Sequence, residues 1–166
     1  VRLGFAVTGL AQSPVGQDRA RPGDVLVLTK PLGTGVILAA EMLKAAPGDV
    51  VAGALAAMAT SSATAARILA PVARAMTDVT GFGLAGHLLG ICQASGCGAE
   101  IALSHLPLLE GAEALAAAGH GSSLLAQNIA ACAGRMTAPP GPRAEILHDP
   151  QTAGGLLAAV PAHLSE

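Results

Sequence analysis

Two spacings alternate along this chain: compact apolar runs of strand length, and apolar residues three or four apart, as on one face of a helix. Leu3–Gly9 reads as a first strand. The segment from 11 to 23, with its Pro, Gly, Gln and Ser, reads as a loop. Asp24–Lys30 is a short apolar run rich in β-branched residues and predicts a strand, which Pro31 stops before Leu32-Gly33-Thr34-Gly35 turns the chain. Val36, Ala39, Ala40 and Leu43 then fall at helical spacing over Val36–Ala46, and Pro47-Gly48 ends that pattern. Asp49 is placed to cap a second helix, whose apolar positions 51, 55, 58, 65, 68 and 69 run toward Pro71 with Thr60-Ser61-Ser62 as a weak interruption. Residues 76–83 read as a Gly/Thr-rich loop. Leu84–Ala94 reads as a helix with Leu84, Leu88, Ile91 and Cys92 on one face, and Ala99–Leu103 as a strand. Glu110–Ala118 and Ser123–Ala133 predict short helices on either side of Gly119-His120-Gly121. After a proline-rich loop at 137–143, Glu145–His148 reads as a short strand, Asp149–Gly155 as a turn and Leu156–Val160 as a further strand. Alternating strands and helices of these lengths predict a layered α/β or α+β fold, with helices packed on a sheet.

Composition narrows the function classes. The chain has 166 residues, of which 52% are hydrophobic and only 12% charged, and the formal net charge is -2. Mean hydropathy is +0.57. The longest apolar stretches, such as Val50–Ala59, fall short of the ~20 residues that a membrane span needs, so no membrane partner is expected. Trp and Tyr are absent, Phe occurs twice, and nine Lys and Arg face eleven Asp and Glu. Neither a base-stacking platform nor a basic phosphate-binding surface is available, so nucleic acid is not an expected partner. Three cysteines without a C-x-x-C spacing make neither a disulfide framework nor a zinc pattern, and read as reduced thiols of a cytoplasmic protein. The start at Val1 carries no signal-peptide pattern and runs straight into a strand-like stretch. The end at Pro161–Glu166 falls where a new segment begins. The expectation is therefore a piece of a longer polypeptide.

Three segments combine flexible backbone with polar side chains. Thr29-Lys30-Pro31-Leu32-Gly33-Thr34-Gly35 passes from a strand through glycines into a helix. It is either a tight turn or a phosphate contact at a helix N-terminus, and it lacks the Gly-Lys-[Ser/Thr] ending of a Walker A loop. Met76-Thr77-Asp78-Val79-Thr80-Gly81-Phe82-Gly83 places a carboxylate before a Gly-x-Gly turn and a helix. Asp78 can cap that helix, or serve as a hard oxygen ligand for Mg²⁺, which needs acidic partners from elsewhere. His87, on the helix that follows, reads as a core or surface histidine with a satisfied ring. His148-Asp149-Pro150-Gln151-Thr152-Ala153-Gly154-Gly155 starts as an Asp-Pro turn and runs through two glycines into a strand. Adjacent His and Asp side chains in an extended segment usually diverge, so a structural reading is favoured over acid–base chemistry. No G-x-S-x-G elbow is present.

At these segments the chain resembles the selenophosphate synthetases (selenide, water dikinases). The strings that carry the resemblance are Leu28-Thr29-Lys30-Pro31-Leu32-Gly33-Thr34-Gly35, Met76-Thr77-Asp78-Val79-Thr80-Gly81-Phe82-Gly83-Leu84 with Gly86-His87-Leu88, and Asp149-Pro150-Gln151-Thr152 with Gly154-Gly155-Leu156-Leu157. They stand in the family's order, and Phe5-Ala6-Val7-Thr8-Gly9 resembles its interdomain region. The resemblance implies a C-terminal domain of the aminoimidazole ribonucleotide synthetase-like superfamily: a mixed sheet with helices on it and a partial ferredoxin-like topology. Residues 1–23 would be interdomain strand and linker, and residues 24–166 the domain, truncated at its end. It further implies a parent that makes selenophosphate, AMP and phosphate from selenide, ATP and water, a homodimer working in the cytoplasm. The nucleophilic Cys or selenocysteine, a Lys, a glycine-rich segment and further acidic ligands would lie in the absent N-terminal domain, the fragment's own partner, so the fragment alone would be inactive. By the resemblance Asp78 is a Mg²⁺ ligand near the ATP phosphates, with Thr77, Thr80 and Gly81 contacting phosphate or steadying Asp78. The family's Gly-Gly-Thr followed by Arg-Asn is replaced here by Gly119-His120-Gly121-Ser122-Ser123-Leu124-Leu125-Ala126-Gln127-Asn128, without the Arg, so that region receives no role. Two other readings stay open: another synthetase of the superfamily, and a non-catalytic scaffolding module in which Asp78 only caps a helix.

Overall fold

The computed structural model describes residues 13–164 together with 4, 6 and 8–11. The strand expected at Leu3–Gly9 has Leu3, Phe5 and Val7 outside the described residues. Among the described residues, three strands and seven α-helices follow the order β1 (Asp24–Leu28), α1 (Thr34–Met42), α2 (Gly48–Ala59), α3 (Ala63–Leu69), β2 (Ala75–Asp78), α4 (Gly83–Ser95), α5 (Ala112–Ala117), α6 (Leu125–Cys132), α7 (Pro142–Ile146) and β3 (Leu156–Pro161). Short 3₁₀ turns occupy Leu103–His105 and Ala162–Leu164.

β3 is the central strand. It pairs antiparallel with β1 from Asp24↔Pro161 to Leu28↔Leu157, and antiparallel with β2 from Ala75↔Ala159 to Asp78↔Leu156. The order β1-β3-β2 is that of three strands of a split βαβ unit. The parallel component of the expected mixed sheet is confined to one bridge between Leu32 and Leu108. Because both faces of β3 are covered, its sequence is a continuous apolar run rather than an alternating one. Leu157 and Ala159 join the main core with α1, α4 and α5, through Ile37, Leu84, Leu88, Ile91 and Ala112. Ala158 and Val160 face the other way, against Leu69 of α3. No single helix among the described residues is long and apolar enough to cross a membrane.

Five expectations are corrected by competing effects. The helix expected to run through to Pro71 is two helices bent by 54°, because Thr60 takes an extended backbone (φ -69, ψ 123) and the Ser61 hydroxyl accepts from Ala63 N–H, starting a new first turn. Asp49 lies inside the first turn of α2, where Pro47 holds the cap position and the Asp49 carboxylate accepts only from Val50 N–H. Glu145–His148 is not a strand. Pro142 opens α7 at a position where a missing N–H costs nothing, and Arg143 anchors it by pairing with Glu113 at 2.9 Å and donating to Leu103 O at 2.9 Å. Ala99–Leu103 is likewise irregular, since no strand edge receives it. The segment read as loop at 76–83 begins as β2, which covers Ala75–Asp78. Strand pairing with β3 overrides its weak local signal.

Gly154 fixes how closely β3's approach loop can pass β2's exit. A Cβ there would collide with the Val79 carbonyl and with the Gln151 side chain. Gly154→Ala is expected to destabilise the chain by about 2–4 kcal/mol, since backbone must move. Gly98→Ala, at a position open to solvent, is expected to stay within about 0.5 kcal/mol. Urea unfolding midpoints of the two variants check this.

Candidate functional site

The antiparallel pairing dictates where the three glycine-rich segments go. β1 and β2 both end beside the start of β3, so the chain leaving β1 (29–35), the chain leaving β2 (78–83) and the chain entering β3 (149–155) meet at one end of the sheet. Backbone bonds weld them there. Thr29 N–H donates to Leu156 O at 3.0 Å, and Leu156 N–H returns a bond to the Thr29 hydroxyl at 2.8 Å. Val79 N–H donates to Gly155 O and Gln151 N–H to Thr80 O, both at 2.9 Å. Lys30 Nζ donates to Ala153 O at 2.9 Å.

The buried centre of this junction is the N-terminus of α1. Its cap residue Gly33 (φ 122) has no side chain to cap with, and the first N–H groups of a helix have no partners within the helix itself. Gln151 Oε1 accepts from Gly33 N–H at 3.0 Å, Thr34 N–H at 3.3 Å and the Thr34 hydroxyl at 3.2 Å. Asp149 Oδ2 accepts from Gly35 N–H at 3.0 Å and from Gln151 Nε2 at 2.9 Å. Thr152 N–H closes the set by donating to the Thr34 hydroxyl at 2.9 Å. Gly35 is obligatory, because a Cβ would strike Asp149 and the Pro150 carbonyl. Of the two readings left open for 29–35, the geometry shows the tight turn: the helix end is filled by the protein's own carboxylate and amide.

His148 and Asp149 diverge. Asp149 points into α1, whereas His148 lines a separate opening with Ile129, Cys132, Pro139 and Glu145, and no hydrogen bond joins them. Burial pushes His148 below its ordinary range. Burial also pushes Asp149 up to about 6, against the opposing pull of the N–H groups of Val36 and Gly35 and the Gln151 amide. Asp149 is 2% exposed, and its Oδ1 has no hydrogen-bond partner among the described residues.

Asp78 has the opposite environment. As the last residue of β2 it is exposed, and its carboxylate forms no hydrogen bond or ion pair among the described residues. It does not cap α4, whose cap residue is Phe82 without a side-chain bond. The loop after it is nonetheless fixed. Thr80 N–H donates to His87 Nε2 at 3.0 Å, so the ring proton resides on Nδ1 in the neutral form. Thr80 O accepts from Gly83 and Gln151. Gly81 O accepts from Asn128 Nδ2 at 2.9 Å. Thr77 Oγ1 donates to Asp78 O at 3.1 Å and accepts from Gln17 Nε2 at 3.2 Å. His87 is pushed down by burial and pulled up by the Asp78 charge, which puts its ring within electrostatic reach of that carboxylate. No group of three metal-ligating side chains occurs among the described residues.

Sequence reasoning missed Asn128 here. Asn128, in the stretch given no role, is 6% exposed, and its amide bridges Gly81 O and His148 O, both at 2.9 Å, joining the second and third segments. The signal was an asparagine on the inward face of a short amphipathic helix, where a buried amide must find partners. His87, read as a core or surface histidine with a satisfied ring, is that: its Nε2 accepts from the Thr80 N–H.

Residues 21–165 match the family model described as AIR synthase related protein, C-terminal domain. Curated relatives include the selenide, water dikinase of Geobacter metallireducens, 42% identical over 95% of this chain and 47% of its own length. That of Aeromonas hydrophila is 39% identical over 95% of this chain and 47% of its length. The chain thus spans about half the length of these relatives. Among solved structures, thiamine-monophosphate kinase from Stenotrophomonas maltophilia superposes with a TM-score of 0.59 at 19% identity, covering 93% of this chain and 44% of that one. The fold is shared at that level.

The raised pKa of Asp149 sets a pH signature. Its folded-state value lies above the ordinary 3.8, so the native chain holds this proton more tightly than the unfolded chain. The ionised form therefore costs stability at neutral pH, and the cost is relieved as pH falls from above 6 toward 4. The shift of about two units corresponds to about 3 kcal/mol at most. Relative to Asp149→Asn, the unmodified chain is expected to gain stability between pH 7 and pH 5, which paired urea titrations at the two pH values measure.

Proposed function

The chain belongs to the AIR synthase related protein C-terminal domain family, and from that membership we propose that it is the C-terminal domain of an ATP-dependent selenophosphate synthetase. The parent converts selenide, ATP and water to selenophosphate, AMP and phosphate, and this domain completes the ATP-phosphate site without activity of its own. The similarity to selenide, water dikinases over 95% of the chain supports the reaction. The single observation that carries the domain's role is Asp78: an exposed carboxylate with no partner among the described residues, held at a strand end by a loop that His87, Asn128 and Gln151 tie down.

That donor fits a shared Mg²⁺ and not a self-contained site. A carboxylate oxygen is the hard ligand this ion takes, usually one or two per site with substrate phosphates completing the shell. The remaining acidic ligands belong to the N-terminal domain on this reading. When bound, the ion neutralises and orients the phosphate oxygens, the dominant requirement of phosphoryl transfer.

This chain's residues do the positioning. β2 carries Asp78 to the sheet end, and pairing with Leu156 fixes its height. His87 and Asn128 hold Thr80 and Gly81 so that the carboxylate meets the ion without reorganisation. Thr80 spends its N–H on His87 and Thr77 its hydroxyl on Asp78 O, which makes both steadying residues and leaves Gly81 as the candidate for direct phosphate contact. Lys30 lies at the same sheet end, about two strand spacings (~10 Å) from Asp78, and adds positive charge facing the same docking partner. The homodimeric parent and its cytoplasmic setting are part of the same proposal.

The test uses the full-length parent with selenide, ATP and Mg²⁺. Asp78→Asn is expected to lower kcat by about two orders of magnitude or more, the range for losing an electrostatic contact made in the transition state. Its unfolding midpoint should stay unchanged, because the Asp78 carboxylate forms no hydrogen bond or ion pair among the described residues. A parent active on selenide with an undiminished Asp78→Asn variant would remove the metal role. A folded parent inactive on selenide would instead favour another synthetase of the family or a scaffolding module.

A further inference from the structure

α4 ends in a turn that brings two cysteines together. Gly96 takes the left-handed conformation (φ 66), and Cys97 N–H reaches back over it to donate to Cys92 O at 3.1 Å. This six-residue closure is the Schellman ending of a helix, in which the side chains at the two closing positions meet. Those positions usually carry a pair of apolar residues. Here both carry thiols. Neither is deeply buried, whereas the third cysteine, Cys132, is.

The surroundings give access. Cys92 and Cys97 line an open cavity of about 440 Å³ with Leu89, Gln93 and Arg135. The Arg135 guanidinium, tethered to Ala131 O at the end of α6, supplies positive charge at that mouth. Cys97 lies beyond the helix on a free-standing turn. Cys92 lies within the helix, where burial and the neighbouring thiol push it above the usual thiol range.

We propose that Cys92 and Cys97 form a reversible dithiol–disulfide site, oxidised by a small disulfide of the glutathione class. The Cys97 thiolate attacks one sulfur of the oxidant, forming a mixed disulfide and releasing one thiol. The Cys92 sulfur then attacks Cys97 Sγ, closing the internal bond and releasing the second thiol. Two protein thiols are oxidised and one disulfide is reduced to two thiols, so electrons and protons balance. The segment 98–102 leaves Cys97 to line the cavity of about 850 Å³ beside β1, and the closed bond pins its start to the end of α4. This assignment stands apart from the phosphate-site reading and holds whatever nucleophile the parent uses.

The test equilibrates the purified full chain with oxidised and reduced glutathione and maps its peptides. The expected result is loss of two of the three thiols, a mass lower by two hydrogens, a linked Cys92–Cys97 peptide that dithiothreitol releases, and Cys132 left reduced. Cys92→Ser should stop at a glutathione adduct on Cys97, and Cys97→Ser should lose most of the reaction. A stable glutathione adduct on Cys97 of the unmodified chain, equal reaction at all three thiols, or no reaction in the folded chain would each overturn the proposal.

Discussion

The first turn of α1 is capped from 114 to 118 residues away, and the rest of the fold is arranged around that fact. A helix start leaves N–H groups that must be satisfied, and α1 begins on Gly33, which has nothing to offer them. Asp149 and Gln151 fill the gap from the loop that enters the central strand. The bonds tie the start of α1 to the loop that enters β3, joining segments far apart in the sequence. Such contacts contribute about 1 kcal/mol each, and somewhat more where a carboxylate accepts. Their larger effect is geometric. They force the chain segments after β1 and before β3 into contact so close that Gly35, Gly154 and Gly155 admit no side chain.

This close approach decides what the glycine-rich strings are for. Gly-rich turns before helices suggest anion binding when read one at a time. In the folded chain the turn before α1 is occupied by the protein itself, and Thr34 and Thr152 are bonded to one another. Most of the polar character that stands out in the sequence is internal bonding between loops. What is left without an internal partner lies at the rim of the junction, where the Asp78 carboxylate is exposed.

Much of the architecture was legible from local pattern. β1, β3 and the helices α1, α4, α5 and α6 announce themselves through apolar periodicity and through Pro and Gly stops. What was illegible depended on partners far along the chain. β2 is four residues long, ends on an aspartate and reads as loop, because its strand character comes from β3 alone. α7 has only one buried residue, Ile146, and is specified by Pro142 and by the Arg143 contacts with Glu113 and Leu103 rather than by periodicity. The same limit applies to the site. Asp78 could be singled out from its motif, but the roles of Gln151 and Asn128 require the strand order, since each bridges segments that only antiparallel pairing brings together.

Two aspartates within this junction show how burial sorts identical side chains into different work. Asp149 accepts from backbone and from Gln151, yet its pKa rises to about 6. Desolvation therefore outweighs those bonds, and the carboxylate is retained at a net electrostatic cost of about 3 kcal/mol or less. A group already desolvated, enclosed and committed to helix N–H donors has little capacity left for an external cation, and its unpartnered oxygen is walled off by Gly35 and Pro150. Asp78 is exposed, and its carboxylate has no bond among the described residues to surrender. A strand-end carboxylate on a loop tied down by its neighbours is held in place without being used up by the fold. The rigid, self-bonded junction and the unspent carboxylate at its rim are thus two consequences of the same packing.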